Sequence, residues 1–394
     1  MSQGPLAGVR VVDLTRVLAG PFSTMLLADL GAEVVKVETP AGDPIRGQGG
    51  MRDGFSWYFA GYNRNKRSVK LDMRSAEGMA VLRDLVATAD VLVENFRPGV
   101  MAKMGLTEEV LSQLKPDLVV CSISGYGQSG PYKDRPSFDF VAQAMSGFMS
   151  STGYPDREPL RAGPPVSDLV AGLYGALAVA AALRRREVTG KGERIDVALV
   201  DSILSFASYF ASSYLATGEE MGRTGNDHPV VAPYGVFRAR DGDVAIAPSN
   251  DRIYARLVEA LGLAEALAGP DFATNAARVA NRAKVNAIVD ARIGTETRDH
   301  WIDVLNAAGV PCGRVLTYPE VFEDPQTLAR EMVCEVDHPG RGPVRMLGFP
   351  MKLAEAPCAM RAPAPELGAD TEDVLRALGY DAQRIAALRG SGVI

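Results

Sequence analysis

Histidine is scarce in this chain of 394 residues, which has only His228, His300 and His338. A metal site of several histidines, or a Ser-His-Asp triad, has little to draw on. Cysteine is equally sparse, and the four residues match neither a zinc spacing nor a disulfide framework. They are Cys121, Cys312, Cys334 and Cys358. We therefore expect metal-free chemistry in a reducing cytosol.

The chain also lacks a basic surplus, a membrane span and a secretion signal. A net charge of -6 and a pI near 5.4 make nucleic acid an unexpected partner. The uncharged run Leu169–Leu183 falls short of the roughly 20 residues that cross a bilayer, so we expect a buried helix and no membrane contact. Met1–Arg10 has no basic segment followed by an apolar one.

What the chain does have is a repeated β-α-β pattern. Residues 9–14 and 33–38 are predicted strands. The helix between them runs to Leu30, and Gly31 terminates it. A helix over 77–87, strands at 90–94 and 118–123, and a strand over 191–200 continue the pattern. Such units build parallel sheets, so the fold class is α/β, doubly wound in style.

A change of composition near 218–226 suggests a second domain. A hairpin at 234–247 and helical patterns over 251–308 follow it. We expect a large domain from residues 1–205 and 335–394, a small inserted α+β domain at 225–325, and linkers at 206–224 and 326–334. Two domains suit this length, since a domain holds roughly 150 residues.

Several segments are candidate ligand sites, and each has a plain structural alternative. Gly125–Gly130 matches GxGxxG after a strand, but Pro131 and Pro136 prevent a following helix, which argues against a dinucleotide site. The turn Thr15–Ser23 offers backbone N–H groups at a helix start, although a simple proline-started helix explains it too. The basic runs Asn63–Lys70 and Glu94–Gly99 also fit a solvated charged face.

Asp168 precedes an uncharged helix. The helix amino end favours the ionised carboxylate and therefore its use as a nucleophile. Helix capping by Ser167 or Asp168 is the plain alternative, which position alone favours.

Taken in order, five segments resemble the family III CoA transferases along nearly the whole chain. They are Gly8–Leu14 with Ala19–Pro21, Leu30–Val34, Asn65–Ser68, Glu94–Gly99, and Asp168 in its Pro-Val-Ser-Asp context. The resemblance implies a Rossmann-like large domain made from both chain ends, a small inserted domain, and an interlocked homodimer. It implies a cytoplasmic enzyme whose substrates are an acyl-CoA and a free carboxylic acid, with no tightly bound cofactor.

The resemblance also implies roles for individual residues. Asp168 is the expected catalytic carboxylate, forming a mixed anhydride and then an aspartyl-CoA thioester. The expected CoA contacts are Val17, Leu18, Ala19, Leu71, Arg74, Asn95, Phe96, Lys103 and Arg135. Thr39 stands where a relative has a basic residue, so Lys36 is expected to supply part of the phosphate grip.

Two further segments indicate which acids the enzyme would use. Gly225–Pro229 and Ala232–Gly235 resemble the branch that takes CoA from succinyl-CoA to another small dicarboxylate. Arg46, Arg52 or Arg64 would then pair with the distant carboxylate, the alternative being a surface ion pair. An α-methylacyl-CoA racemase is a rival function, which Phe138 disfavours because that subgroup has a histidine there. A non-catalytic CoA-binding protein is a second alternative.

Overall fold

The computed structural model describes residues 4–394, which form two compact units. The large unit takes residues up to Phe148, Ala162–Ala207 and Pro325–Ile394. The small unit takes Met149–Arg161 and Ser208–Asp324, and so includes a segment, 149–161, that we had assigned to the large domain. The domain limits drawn from the sequence stay a prediction.

The strands and helices are given in chain order. The strands are Arg10–Asp13 (β1), Glu33–Glu38 (β2), Met51–Arg52 (β3), Phe55–Ser56 (β4), Lys66–Lys70 (β5), Val91–Glu94 (β6), Val119–Ser124 (β7), Glu193–Ala198 (β8), Gly235–Ala239 (β9), Gly242–Ile246 (β10), Cys312–Arg314 (β11), Val333–His338 (β12) and Gly342–Leu347 (β13).

The helices are Ala19–Asp29 (α1), Trp57–Asn63 (α2), Ala76–Ala87 (α3), Val100–Lys103 (α4), Glu108–Leu114 (α5), Asp139–Met145 (α6), Val166–Thr189 (α7), Leu199–Ser205 (α8), Ser208–Thr217 (α9), Asp251–Ala260 (α10), Asn275–Ala280 (α11), Arg282–Ile293 (α12), Arg298–Ala307 (α13), Tyr318–Val321 (α14), Pro325–Ala329 (α15), Thr371–Ala377 (α16) and Ala382–Gly390 (α17).

A parallel sheet of order β5-β2-β1-β6-β7-β8 forms the centre of the large unit. The chain runs outward from β1 to β5 and then returns to place β6 on the other side of β1. Ligand crevices of open α/β sheets lie at such a reversal, outside the carboxyl ends of the strands. The expected α/β class with a central parallel sheet is confirmed.

Alternating side chains of the strands build a core on each face of the sheet. Val12 and Val35 point to one face, where the C-terminal helices α16 and α17 pack through Leu375 and Leu388. Val11 and Val34 point to the other face, which α1 and α7 cover. Because both faces are covered, the strands are apolar on both sides, as parallel sheets require.

The covering helices α1 and α7 approach closely because α7 carries glycine at the crossing. A Cβ atom on Gly172 would lie 2.7 Å from the Ala19 carbonyl oxygen, and one on Gly175 would lie 2.8 Å from Ser23 Oγ. This close approach brings the first turn of α7 alongside the start of α1.

The expected buried helix at 169–183 is present, but it is buried on one face only. Helix α7 is longer, and its outer face leaves Leu173 and Leu177 exposed. By length and composition alone α7 is apolar enough to cross a membrane, a test that core helices of soluble proteins also pass. Half of its most apolar window is buried inside the molecule.

The small unit is built on the antiparallel sheet β11-β10-β9. Its core packs Phe237 and Val244 of the hairpin against Leu257, Val289 and Trp301 of the helices. The hairpin and the helical stretch expected from the sequence are both confirmed.

We predict that Gly172→Ala lowers the free energy of unfolding by about 2 kcal/mol, since the added methyl group meets backbone of α1. Chemical denaturation monitored by circular dichroism measures this. The matched control is Gly61→Ala in α2, where a Cβ meets nothing within 4 Å, so stability should rise by roughly 0.5–1 kcal/mol. Equal effects of the two changes would contradict the packing described.

Candidate active site

A cavity of about 510 Å³ lies at the switch between β1 and β6. Six segments of the large unit line it: the turn after β1, the chain after β2 at Pro44 and Gln48, the loop after β6, the end of β7 with the loop that follows it, the first turn of α7, and Leu199 at the start of α8. Their lining residues include Arg16–Ala19, Asn95–Pro98, Arg135–Phe138 and Asp168. The sheet topology thus gathers residues from six separate parts of the sequence.

Buried charges support the turn after β1. The Asp13 carboxylate accepts the Thr15 N–H at 2.8 Å and Thr24 Oγ1 at 2.7 Å, and it pairs with Lys66 Nζ at 3.0 Å. Burial raises the pKa of Asp13, but Lys66 and then Lys36 outweigh it and the net shift is downward. Burial also lowers the pKa of Lys66 to about 8, against the attraction of Asp13. The turn after β1 therefore packs on buried charged groups that are paired with one another.

Helix α1 starts at the cavity without a side-chain cap on Leu18. Within residues 4–394 no acceptor is present for the N–H groups of Leu18 and Ala19, and both residues line the cavity. Uncapped N–H groups at a helix start bind anionic or carbonyl oxygens. The cavity therefore offers backbone donors to a ligand.

Asp168 lies in the first turn of α7 and lines the same cavity. It is partly buried, and no hydrogen bond to its carboxyl group exists in the described part of the chain. Burial, followed by the negative charge of Asp139, raises its pKa to about 7. The helix end was expected to favour the ionised form, but loss of hydration and the like charge dominate here.

Asp139, the neighbour that acts on Asp168, is itself firmly held. One carboxylate oxygen accepts Ser167 N–H at 2.9 Å and Ser167 Oγ at 2.8 Å, and the other accepts Gln143 Nε2 at 2.7 Å. These bonds join the start of α6 to the start of α7. Asp139 thus fixes the backbone beside Asp168 as well as its electrostatic environment.

Asp168 also affects the pKa values of two tyrosines that were not predicted as site residues. Tyr58 and Tyr62 lie four residues apart on α2, with ring centroids 5.7 Å apart. Burial first, and then nearby charges that include Asp168, raises the pKa of both, to about 12 for Tyr58. Both hydroxyls are therefore donors at neutral pH. Their helical spacing was the available signal, but core packing explained it equally well.

The expected CoA contacts divide into two groups. The first group lines the cavity and consists of Val17, Leu18, Ala19, Asn95, Phe96 and Arg135. The Asn95 amide makes two bonds to the backbone of Arg16, at 2.9 and 2.8 Å. Arg16 and Arg97 also line the cavity and were missed, although they flank segments that had been selected.

The second group lies elsewhere. Leu71 is fully buried in the core, while Arg74 and Lys103 are exposed, the former 3.0 Å from Asp72. Lys36 needs a correction: its side chain is fully buried and pairs with Asp43 at 2.9 Å, so it does not face a phosphate. A lysine inside a β-strand of the sheet was read from sequence as if it reached solvent.

The three arginines proposed for a second carboxylate do not line the cavity. Arg46 binds both oxygens of Glu38, at 2.8 and 2.7 Å. Arg64 is buried and binds Asp29 at 2.7 Å, so both guanidinium groups are already neutralised. Arg52 is exposed, with the carboxylate of its neighbour Asp53 3.6 Å away.

Two other expectations concern metals and dinucleotides. Among residues 4–394 no group of three or more His, Cys, Asp or Glu side chains is placed to hold a metal ion. After the Gly125–Gly130 loop the next helix, α6, begins only at Asp139. Gly125 lines the cavity, so the loop borders the site.

Comparison with known proteins decides the family. The profile of CoA-transferase family III matches residues 6–371. The chain belongs to CoA-transferase family III. Enzymes of this family use CoA thioesters as substrates, and the family and enzyme class expected from the sequence are both confirmed.

Curated relatives and a solved structure agree with this family. Human succinyl-CoA:glutarate CoA-transferase is 38% identical over 393 residues, which cover 99% of this chain and 90% of that protein. Acetyl-CoA:oxalate CoA-transferase of Acetobacter aceti is 40% identical over 354 residues, covering 89% and 90%. A CAIB/BAIF family protein from Brucella suis is 41% identical with a TM-score of 0.86, covering 96% of this chain and 100% of that chain.

We predict that Asp139→Asn moves the acid limb of the pH profile of kcat/KM for acyl-CoA to lower pH. Asp168 is protonated below about pH 7, so wild-type activity should fall as the pH drops through that value. Asparagine keeps an oxygen for the Ser167 bonds but removes the like charge, which lowers the pKa of Asp168.

The control is Asp201→Asn, which changes an exposed carboxylate in the first turn of α8. Its acid limb should match that of the wild type. An acid limb that stays in place in Asp139→Asn would refute the electrostatic coupling of Asp139 to Asp168.

Proposed function

We propose that this enzyme transfers CoA from succinyl-CoA to another small dicarboxylic acid, with Asp168 as the acyl carrier. The observation that carries the proposal is the Asp168 carboxyl group, which lines the cavity without a hydrogen bond in residues 4–394, alongside the uncapped start of α1. Relatives from human, Agrobacterium fabrum and Chloroflexus aurantiacus are named as succinyl-CoA or succinate CoA-transferases.

The proposed reaction begins with attack of the Asp168 carboxylate on the donor thioester. The C–S bond breaks, CoA leaves as the thiolate, and a mixed anhydride of Asp168 and the donor acid forms. The thiolate then attacks the aspartyl carbonyl and releases the donor acid, leaving an aspartyl-CoA thioester. The acceptor carboxylate reverses the two steps, so the energy of the thioester is conserved throughout.

The raised pKa of Asp168 suits this chemistry. Partial burial strips water from the carboxylate, and a poorly solvated carboxylate is a stronger nucleophile. The N–H groups of Leu18 and Ala19 are placed to donate to the oxyanions that form at the attacked carbonyl. The proposal thus assigns the nucleophile and the oxyanion donors to two helix starts.

CoA binding is proposed at the same cavity. Arg16, Arg97 and Arg135 supply positive charge for the phosphates, and Phe96 supplies an apolar contact. No residue is assigned to the second carboxylate of a dicarboxylic acid, because Arg52 is exposed and does not line the cavity. Arg46 and Arg64 already bind carboxylates of the protein.

The racemase alternative receives no support at this cavity. Phe138 lines it with a ring that is largely exposed, at the position where that function needs a proton acceptor. A phenyl group cannot accept a proton.

We also propose that the enzyme is a homodimer. Large apolar side chains are exposed together on the large unit, namely Phe140, Val141 and Met145 on α6, Leu173 and Leu177 on α7, and Leu204 on α8. Exposed apolar surface of this kind is typical of an interface. Light scattering in solution tests this, and a monomer would refute it.

We predict that Asp168→Ala lowers kcat for exchange between succinyl-CoA and glutarate about a thousandfold or more, because the acyl carrier is lost. Exchange is followed by chromatography of the acyl-CoAs, and calorimetry checks that CoA still binds. Asp201→Ala on α8 is the control, expected to retain wild-type kcat.

Normal turnover by Asp168→Ala would contradict the proposed mechanism. If succinyl-CoA is no better a donor than acetyl-CoA or butyryl-CoA, only the proposed preference for dicarboxylic acids is contradicted.

A further inference from the structure

Val17 has a backbone conformation that its side chain disfavours. Its φ angle is +68°, in the left-handed region that β-branched residues rarely adopt. Such a conformation costs free energy and persists only where its surroundings hold it. Val17 lies in the turn that ends at the uncapped start of α1, so what holds Val17 also sets the direction of the backbone donors that follow.

Asp43 holds the amide of Val17. Its two carboxylate oxygens lie 3.1 and 3.2 Å from Val17 N, across 26 residues of sequence. The Asp43 side chain is fully buried and also accepts the Ile45 N–H at 3.2 Å. A charged acceptor without solvent access forms a stronger bond than an exposed one.

Lys36 extends this hold toward the start of the turn. Its Nζ lies 2.9 Å from Asp43 Oδ2 and 2.7 Å from the Thr15 carbonyl oxygen, and its side chain is fully buried. The ion pair therefore binds the backbone at the carbonyl of Thr15 and the amide of Val17, and so fixes the chain through Arg16 up to the nitrogen of Val17. Helix α1, which begins at Ala19, fixes the chain on the other side, so the disfavoured φ angle of Val17 lies where these two fixed segments join.

A purely stabilising role does not explain this arrangement. Buried ion pairs are often no better for stability than apolar residues of similar volume. Here Asp43 accepts a hydrogen bond from the Val17 amide, and Lys36 donates one to the Thr15 carbonyl. Both bonds are made to the turn that borders the cavity. The pair therefore restrains the backbone of the turn.

We propose that Lys36 and Asp43 are positioning residues that hold Val17 in the left-handed conformation and so aim the Leu18 and Ala19 N–H groups at the acyl-CoA. This inference rests on the proposed function, in which those groups contact the substrate. It replaces the phosphate contact expected of Lys36 from the sequence.

The test removes the pair without leaving a buried charge unpaired. In the double variant Lys36→Met/Asp43→Leu, we expect kcat for succinyl-CoA to fall roughly tenfold, equivalent to about 1.4 kcal/mol, while KM changes less than about threefold, because oxyanion donors act in the transition state. Active sites are counted by calorimetric titration with CoA, so that any loss of folded protein is separated from slower turnover.

A rescue variant tests the role of Val17 itself. Glycine adopts positive φ without a steric cost. Adding Val17→Gly to the double variant should move kcat back toward the wild-type value, because the turn no longer needs to be held by the ion pair. A merely structural ion pair would give no such rescue.

The matched control is Asp90→Asn. Asp90 pairs with Arg186 at 2.9 Å and accepts the Arg10 N–H at 2.8 Å, at the amino end of β6, opposite the cavity. It should lower thermal stability with kcat unchanged. A wild-type kcat in the folded double variant would overturn the inference, whereas failure of the proposed function would show separately as turnover by Asp168→Ala.

Discussion

The close approach of α1 and α7 is the constraint on which the site depends. Without side chains at Gly172 and Gly175, the two helices cross near van der Waals contact on one face of the sheet. This crossing places two helix starts side by side at the carboxyl edge of β1 and β6. One start supplies uncapped N–H groups and the other supplies Asp168.

The charged groups at this edge of the sheet lower the stability of the folded state. The raised pKa of Asp168 means that its ionised form, the proposed nucleophile, is disfavoured in the folded protein relative to water. The folded state therefore loses stability as the pH rises from about 4 through about 7 and the group ionises. Asp139 contributes to this cost while its bonds to Ser167 hold the backbone in place. Strain at Val17 and the buried Lys36–Asp43 pair are further costs at the same edge.

Local patterns predicted much of the fold. The alternation in 9–14 and 33–38 and the glycine at position 31 fix the first β-α-β unit, because these signals depend on neighbours in the sequence. The hairpin β12–β13 was missed, because β12 buries only Val336 and His338, β13 buries no residue, and the turn between them begins a proline-rich stretch at Pro339. The outer face of α7 was misjudged because composition does not report which side of an apolar helix is covered.

The site was predicted less completely, for a physical reason. Segments next to strand ends could be selected from the sequence, and those after β1 and β6 do meet at the cavity. Which charges are already paired depends on contacts between distant residues, such as Arg64 with Asp29 and Lys36 with Asp43. Neither the burial of Lys36 nor the nearness of Tyr58 to Asp168 follows from spacing along the chain.

The most direct test of the account follows a carboxylate oxygen. If Asp168 carries the acyl group, then transfer of CoA to an acceptor acid labelled with oxygen-18 leaves one acceptor oxygen on the Asp168 carboxylate when the anhydride is cleaved at the acceptor carbonyl. After many turnovers, mass spectrometry of the proteolytic peptide that contains Asp168 should show incorporation of the label. Continued formation of the new acyl-CoA with an unlabelled Asp168 peptide would contradict the central claim.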